Sequence, residues 1–553
     1  MSFTRWLRNL QSFCHLHTTT RKSRRAARSA PAKRVRLQLE ALEDRCQPST
    51  FTVTNLLDTG AGSLRAAVSA ANANPGADVI NFATTGAINL TSGELDITDS
   101  LDIEGPGANQ LTVSGNNASR VFDISGGVTV TIAGMTMADG LANGSAPVLA
   151  STGGGILNFG SLTLSSDVLA NNEAVGNAST SPTGRVGGAL GGGVANLGSS
   201  SLTIISSAFT GNQAVGADHS SGASAGNALG GAIINSATAS ISDSQFTFNL
   251  AQGGSDCTGS LDATGTGGGI SNSGSLTITG STFSQNQAIG GNDSSSAIRP
   301  GFGGGGAILS GGPVGSAATL VVSASTFDHN QAIGGNGNQS SSNPASSVLG
   351  PDDAAGGAIH LSGGTATISG STIEHNAAIA GTGSAGQNGG LAWGGGIDLF
   401  NAFNHGPTVS ISNSTVGHNT AIGGAGGPGG NGGDGWGGGL ADLLGATLTV
   451  SNSTVDHNLA IGGAGGSGGN GGDGLGGGIY EDALSKLTLT GDTVDKNHAI
   501  GGAAGAGGSD GEGIGGGLYI APGGVACADL WTAIFANHAS TSDDDVFGGL
   551  GQC

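Results

Sequence analysis

Short runs of alternating apolar and polar residues recur along the chain. SLTIISS begins at Ser201, SLTITGS at Ser275, TVSISNS at Thr408 and TLTVSNS at Thr447. A period of two sets one side of each run against a core, which predicts half-buried β-strands rich in Thr, Val and Ile. Each run follows a glycine-ended gate, and ten gates end at Ile156, Val194, Ile233, Ile270, Ile308, Ile359, Ile397, Leu440, Ile479 and Leu518. Seven of the nine intervals are 37 to 39 residues long, and the other two are 51 and 43. After each run comes an apolar residue three places before an asparagine: Phe209/Asn212, Phe246/Asn249, Phe283/Asn286, Phe327/Asn330, Ile373/Asn376, Val416/Asn419, Val455/Asn458 and Val494/Asn497. Self-similarity at a fixed period means a repeat architecture, and strand periodicity makes it an all-β solenoid.

In a parallel β-helix each coil lies about 4.8 Å above the last, so equivalent residues stack. The gate residues and the Phe/Val positions then face inward. The asparagines form a structural ladder at a corner, where each amide satisfies exposed backbone groups. Gate to asparagine leaves room for three short strands. The rest of each repeat is a glycine-rich loop leaving the same corner of every coil. Whether a repeat makes one coil or two stays open at this point.

Four segments follow. Residues 1–50 form a basic leader, disordered or cleaved; 51–150 an N-terminal cap with the first coils; 151–540 the ten repeats; and 541–553 a C-terminal tail or cap. In the second segment, Ser63 is placed to cap a short alanine-rich helix ending near Ala73, which would cover the open end of the solenoid.

Two stretches, NLLDTGAGSLRAAVSAANANPGADVINF and LDIEGPGANQLTVSGNNASRVFDI, resemble the N-terminal region of right-handed parallel β-helix surface proteins of bacteria. The GGAI gates with Phe-x-x-Asn resemble the paired repeats of chlamydial polymorphic outer membrane proteins. LEALEDRCQPS, Leu39 to Ser49, is similar to the export or sorting segment of large planctomycete-type surface proteins. The resemblance implies a right-handed fold, export and a surface role, and no particular reaction. It extends to the passenger alone, because DDDVFGGLGQC at the C-terminus carries no run of alternating membrane strands.

Composition sharpens this picture. Glycine supplies 110 of 553 residues and aromatics only 4%, yet hydrophobic residues reach 37%, more than a solvated disordered chain needs. Residues 1–50 hold 11 Lys and Arg, among them Arg24 and Arg25, against three acids, a net charge of +8. With −21 for the whole chain, the remainder carries −29, a body that repels nucleic acid. The leader lacks the apolar run of an ordinary signal peptide, and nowhere is an apolar stretch long enough to cross a membrane as a helix.

Candidate chemistry is sparse. GGNGGDGL, with Asp473, fits a calcium-binding nonapeptide pattern and GGNGGDGW, with Asp434, nearly so, but the copies stand 39 residues apart rather than nine. The same tracts keep a three-residue rhythm, GGAGGPGGNGGDG, suited to extended glycine helices lying side by side with backbone groups paired between loops. His329, His375, His418 and His457 each precede a ladder asparagine; three converging ligands are needed for a metal, and a straight ladder splays them, which favours a solvated charge stripe. Trp393 and Trp436 precede their gates as loop anchors.

Asp398, Asp442, Glu481 and Asp482 form the best carboxylate cluster, with Asp442 and Glu481 equivalent and about one strand spacing apart, as in a retaining glycosidase. Earlier gates carry Asn158, Asn196, Asn235 and Asn272 at that place, which argues for a structural ladder. The few bases after residue 50, Arg65, Arg120, Arg185, Arg299, Lys486 and Lys496, are scattered along the sequence. Cys527 and Cys553 are candidates for a disulfide closing the last coil. These signals favour a secreted or surface β-helix with a structural or adhesive role, glycans or other surface components as partners, and self-association as a further option. A carbohydrate-active enzyme and a calcium-dependent module remain as alternatives.

Overall fold

A computed structural model of the protein describes residues 48–144, 151–177, 187–222, 225–259, 263–296, 299–311, 318–340, 350–400 and 406–553. The leader through residue 47, with Cys14 and Cys46, lies outside these, as does Arg185. The chain folds as a right-handed parallel β-helix, nearly all β, with every neighbouring pair of strands parallel.

One repeat makes one coil. Val194 pairs with Ile233, Ile233 with Ile270 and Ile270 with Ile308, so each gate lies on the next. Within the coil that opens at Val194, strands run over Val194–Asn196, Ser201–Ile205, Ala208–Thr210, Gln213–Val215, Ser221–Gly222 and Ala228–Leu229. The sheets containing the first four have 13, 15, 13 and 11 strands. The sheet before the gates has nine, and the short sheet around Ser221–Gly222 has four.

Alternation sorts side chains as the sequence suggests in the five-residue strands. Leu202 and Ile204 are buried while Ser201 and Thr203 are partly exposed, and their counterparts repeat this in every coil. The core they enter also holds the gate residues and a stack of Phe209, Phe246, Phe283 and Phe327 with ring centroids 4.6 to 5.0 Å apart.

The gate strands behave differently, being buried on both faces. Their first and third residues enter the main core. Their middle residues enter a second, outer core against the strands before the gates: Ala441 and Tyr480 pack there with Trp393, Phe400 and Leu443. Trp393 is fully buried in this layer and Trp436 stacks on Tyr480 at 4.9 Å, so both tryptophans anchor the loop bases.

At the N-terminal end, Leu64–Asn72 forms the one helix among the described residues. Ser63 caps it, its hydroxyl accepting from the Ala66 N–H at 3.2 Å. Leu64, Ala67, Val68 and Ala71 are buried against the first of the described strands, covering the core at that end. At the other end, Val546–Phe547 and Leu550–Gln552 add final strands to two of the sheets, and Cys527 is disulfide-bonded to Cys553 across a Cα separation of 5.2 Å.

Candidate functional site

The glycine tracts of the last coils build an ordered face. In the tract 423–435, the N–H groups of Gly426, Gly429 and Gly432 donate to the carbonyls of Ala464, Ser467 and Asn470 one coil on. The next tract repeats this, from Gly465, Gly468 and Gly471 to Ala503, Ala506 and Ser509. The other glycine of each pair bonds across the two arms of the loops: Gly430 to Gly427 at 2.7 Å, Gly433 to Gly424 at 2.8 Å, Gly463 to Gly433 at 2.8 Å and Gly466 to Gly430 at 3.0 Å. A bond every third residue, directed between segments, is the pattern of extended three-residue-per-turn chains packed side by side. The arms turn at Gly429, Gly468 and Gly507, where φ is +85°, +88° and +94°.

This packing dictates G-G-x. A Cβ on Gly466 would overlap the carbonyl oxygen of Gly427, whereas the third positions point away from the stack. Those positions carry the side chains, so function on this face rests on them. Asn388, Asn431, Asn470 and Ser509 stack in one row, each asparagine Oδ1 accepting the backbone N–H of the next at 2.8 to 2.9 Å. Asp434 and Asp473 stack beside them, Asp434 Oδ1 accepting from Asp473 N–H and Asp473 Oδ1 from Glu512 N–H, both at 2.7 Å.

Both rows line a groove of about 530 Å³ with Asp353, Gln387 and Asp510. Each amide oxygen is tied to the backbone, which leaves the amide N–H₂ groups as a row of donors beside a row of carboxylate acceptors. Burial raises the Asp434 pKa to about 6. The calcium candidates therefore satisfy backbone N–H groups. Among the described residues, the sets of acids and histidines whose ligand atoms converge are Asp328 with His329 and His375, and Glu94 with Asp96 and Asp123; neither includes Asp434 or Asp473.

The carboxylate cluster divides. Asp442 and Glu481 are register partners, as their equivalence suggested, but both are 0% exposed and point into the main core between Leu399 and Ile520 of the neighbouring coils. Burial raises both pKa values, and the Asp442 charge raises that of Glu481 further. No substrate reaches this pair, so the glycosidase arrangement fails on access rather than on spacing. Asp398 is one register place away, paired with Ala441, and therefore points the opposite way into the outer core. Asp482 is taken up by the Leu444 N–H, which donates to its Oδ2 at 2.7 Å.

Around Asp398 the structure assembles a group that sequence spacing concealed. His360 Nδ1 lies 2.6 Å from Asp398 Oδ2. The Arg299 guanidinium sits 3.7 Å from the Phe302 ring centroid, 4.8 Å from that of Phe400 and 5.2 Å from that of Trp393. Burial lowers the Arg299 pKa to about 10, with the charges of Asp353 and Asp398 opposing. Burial likewise raises Asp353 to about 7, with Arg299 opposing. These residues come from different coils, and Asp353 connects them to the groove. The cluster is an internal charge balance that fixes the loop bases.

The ladder asparagines lie apart from the groove. Asn212, Asn249, Asn286, Asn330, Asn376, Asn419, Asn458 and Asn497 stack at an inner corner, each at most 1% exposed. Their amides satisfy backbone groups that are sealed inside the corner. Each Oδ1 accepts from the backbone N–H and the side-chain amide of the asparagine one coil before, as Asn376 does from Asn330 at 2.9 Å for both. Each Nδ2 also reaches back to a strand carbonyl. Asn212 donates to Leu169 O at 3.0 Å, Asn330 to Phe283 O at 2.9 Å and Asn376 to Phe327 O at 3.0 Å. Asn419 donates to Ile373 O and Asn458 to Val416 O, both at 2.8 Å, and Asn497 to Val455 O at 2.9 Å. An asparagine supplies both a donor and an acceptor, so one side chain serves two coils without carrying charge into the corner. None of the eight meets solvent well enough to contact a ligand, and they belong to the scaffold rather than to a binding site.

This ladder is longer than Phe-x-x-Asn indicated. Asn172 precedes it and Asn537 follows it, with Asp545 Oδ1 accepting from the Asn537 N–H and amide at the end. Leu169 and Ile534 fill the apolar place three before these asparagines, so both rungs carry the same apolar-x-x-Asn spacing.

No protein-family model and no characterised protein sequence matches the chain. Among solved structures, it is similar to tailspike protein 3 of bacteriophage CBA120, with 12% identity and a TM-score of 0.31 over 79% of this chain and 56% of that one. It is also similar to the catalytic unit of a thermostable GH87 α-1,3-glucanase from Streptomyces thermodiastaticus strain HF3-3, with 12% identity and a TM-score of 0.31 over 91% and 68% of the two chains. A third is the A-module of the mannuronan C-5 epimerase AlgE4 of Azotobacter vinelandii, with 12% identity and a TM-score of 0.25 over 83% and 96%. This chain thus spans little more than half the length of the tailspike. At such TM-scores these likenesses carry no functional argument. No helix among the described residues is long and apolar enough to cross a membrane.

Proposed function

We propose that the protein is a secreted or cell-surface β-helix with a structural and adhesive role, binding neutral glycans along the groove of its glycine face. The observation that carries this reading is the pairing of two stacked rows, amide donors on Asn388, Asn431 and Asn470 and carboxylate acceptors on Asp434 and Asp473. Sugar hydroxyls both donate and accept, so an extended glycan meets the same complement at two successive coils, Asn431 with Asp434 and Asn470 with Asp473. The acidic rows and the net charge of −29 after residue 50 disfavour anionic chains and nucleic acid. The basic leader, with its likeness to planctomycete-type sorting segments, supports export, and the Phe-x-x-Asn repeats support kinship with surface-exposed passengers. Binding rather than turnover is favoured because the acids of the best-matched carboxylate pair are sealed in the core.

The test uses the full chain on an array of neutral polysaccharide fragments. Asn431→Asp with Asn470→Asp keeps the oxygens that accept backbone N–H groups and removes the donors. Loss of two hydrogen bonds at about 1 kcal/mol each weakens binding roughly tenfold or more, without turnover of the glycan. Equal binding by the wild type and the double variant would refute this role for the groove.

A further inference from the structure

We propose that Asp328, His329 and His375 form a binding site for a zinc-class divalent transition metal on the polar stripe that runs along the asparagine corner. Asp328 Oδ1 lies 2.8 Å from His329 Nδ1 and 3.1 Å from His375 Nδ1, so ring nitrogens from two successive coils converge on one carboxylate oxygen. All three ligand atoms fall within 4.8 Å of one another. The straight stack of imidazoles would splay its nitrogens if it acted alone; the carboxylate preceding His329 supplies the missing point of convergence.

Backbone geometry holds the rings in place. His329 and His375 both have φ +56°, the left-handed corner conformation that precedes each of these two ladder asparagines, Asn330 and Asn376. The stack continues to His418 and His457, with ring centroids 4.9, 5.1 and 4.7 Å apart along the column. Both His329 and His375 are exposed, so an ion reaches them without opening the fold.

Ligand chemistry selects the class of ion. Two imidazole nitrogens and one carboxylate suit zinc and its neighbours, whereas calcium and magnesium require shells dominated by oxygen. Bonds of about 2.1 Å in a tetrahedral arrangement set donor–donor edges of roughly 3.4 Å. The two short edges observed therefore open by a few tenths of an ångström, a small rotation for exposed side chains. Three protein ligands leave a fourth position for water or a further donor. The acidic body raises the local concentration of cations.

Equilibrium dialysis of the full chain against zinc chloride, comparing the wild type with His329→Asn/His375→Asn and with Asp328→Asn, tests the assignment. Asparagine tolerates the left-handed backbone at both histidine positions, which keeps the corner folded. The expected result is one ion fewer per chain in the double variant and at least roughly tenfold weaker binding at that site in Asp328→Asn. Circular dichroism should be unchanged in all three proteins, and a hundredfold excess of calcium should leave zinc binding intact. Because the readout is the difference between proteins, ions held elsewhere cancel. Identical stoichiometry and affinity in wild type and both variants would overturn the proposal, as would displacement by calcium.

Discussion

Gly466→Ala is expected to break open the stacked glycine arms, whereas Ser467→Ala, one position on, should be silent. The methyl group at 466 would overlap the backbone carbonyl of Gly427 in the coil below, and neither partner has a flexible side chain to move. The Gly466 N–H donates to Gly430 O at 3.0 Å and its carbonyl accepts from Gly469 N–H at 2.7 Å, so displacing it breaks bonds within its own loop and to its neighbour. The cost sits at or above the upper end of the about 1–3 kcal/mol of forced overpacking. Ser467 is exposed at the turn, where side-chain changes stay within about 0.5 kcal/mol. Alanine at 464, 503 and 506 occupies third positions, and Ala504, at the place of Gly465, shows that the first glycine of a pair admits a Cβ in the last tract. Limited proteolysis and thermal unfolding separate the two variants: the first should be cut within 462–474 at temperatures where the second and the wild type resist.

Asn286→Ala should cost more still, because it removes the middle of a buried relay. Asn286 Oδ1 accepts from the Asn249 N–H at 3.1 Å and from Asn249 Nδ2 at 2.9 Å, and its own Nδ2 donates to Phe246 O at 2.9 Å. Alanine leaves the Asn249 N–H and one hydrogen of its amide without their acceptor, and Phe246 O without this donor, in a corner that is 0% exposed; the other amide hydrogen keeps its bond to Phe209 O. At about 1–3 kcal/mol for each orphaned buried group, with some recovered by water, the loss is on the order of 3–5 kcal/mol. A solenoid's stability is a sum over coils and their nearest-neighbour contacts, so the loss should concentrate in the coils around residue 286. Denaturant unfolding followed by hydrogen exchange reads this directly: amides near 249, 286 and 330 should open at lower denaturant than those near 458 and 497. A uniform response along the chain, or no response, would contradict the relay.

The fold was legible because its information is periodic. Gate, five-residue strand and asparagine recur in one order, and each recurrence marks the same place on the next coil, which gives the register of whole sheets. The coil count per repeat was not legible, since it depends on where the chain closes on itself. The ladder shows a related limit: spacing aligned Asn212 through Asn497, but a corner can present its amides outward or inward, and only the closed coil shows that they turn inward. The acids show a third. Equivalence of Asp442 and Glu481 followed from spacing, but their facing did not, because gate strands are buried on both sides and alternation then distinguishes inner core from outer core rather than core from water. Arg299 looked isolated because His360, Asp353 and Asp398 reach it only through stacking of coils with unequal loops. The glycine rhythm was readable as a three-residue period. The acceptor of each N–H became visible only when the arms were placed.

The most direct test of the account is amide hydrogen exchange across 423–435, 462–474 and 501–513 in the full chain. Paired arms predict protection of the bonded amides, those of the glycines and of Asn431, Asn470 and Asp473 alike, that approaches that of the five-residue strands, with faster exchange confined to the other positions of the tracts. Complete exchange throughout these tracts within seconds, beside protected strands, would show that the glycine face is not built and that the groove on it does not exist.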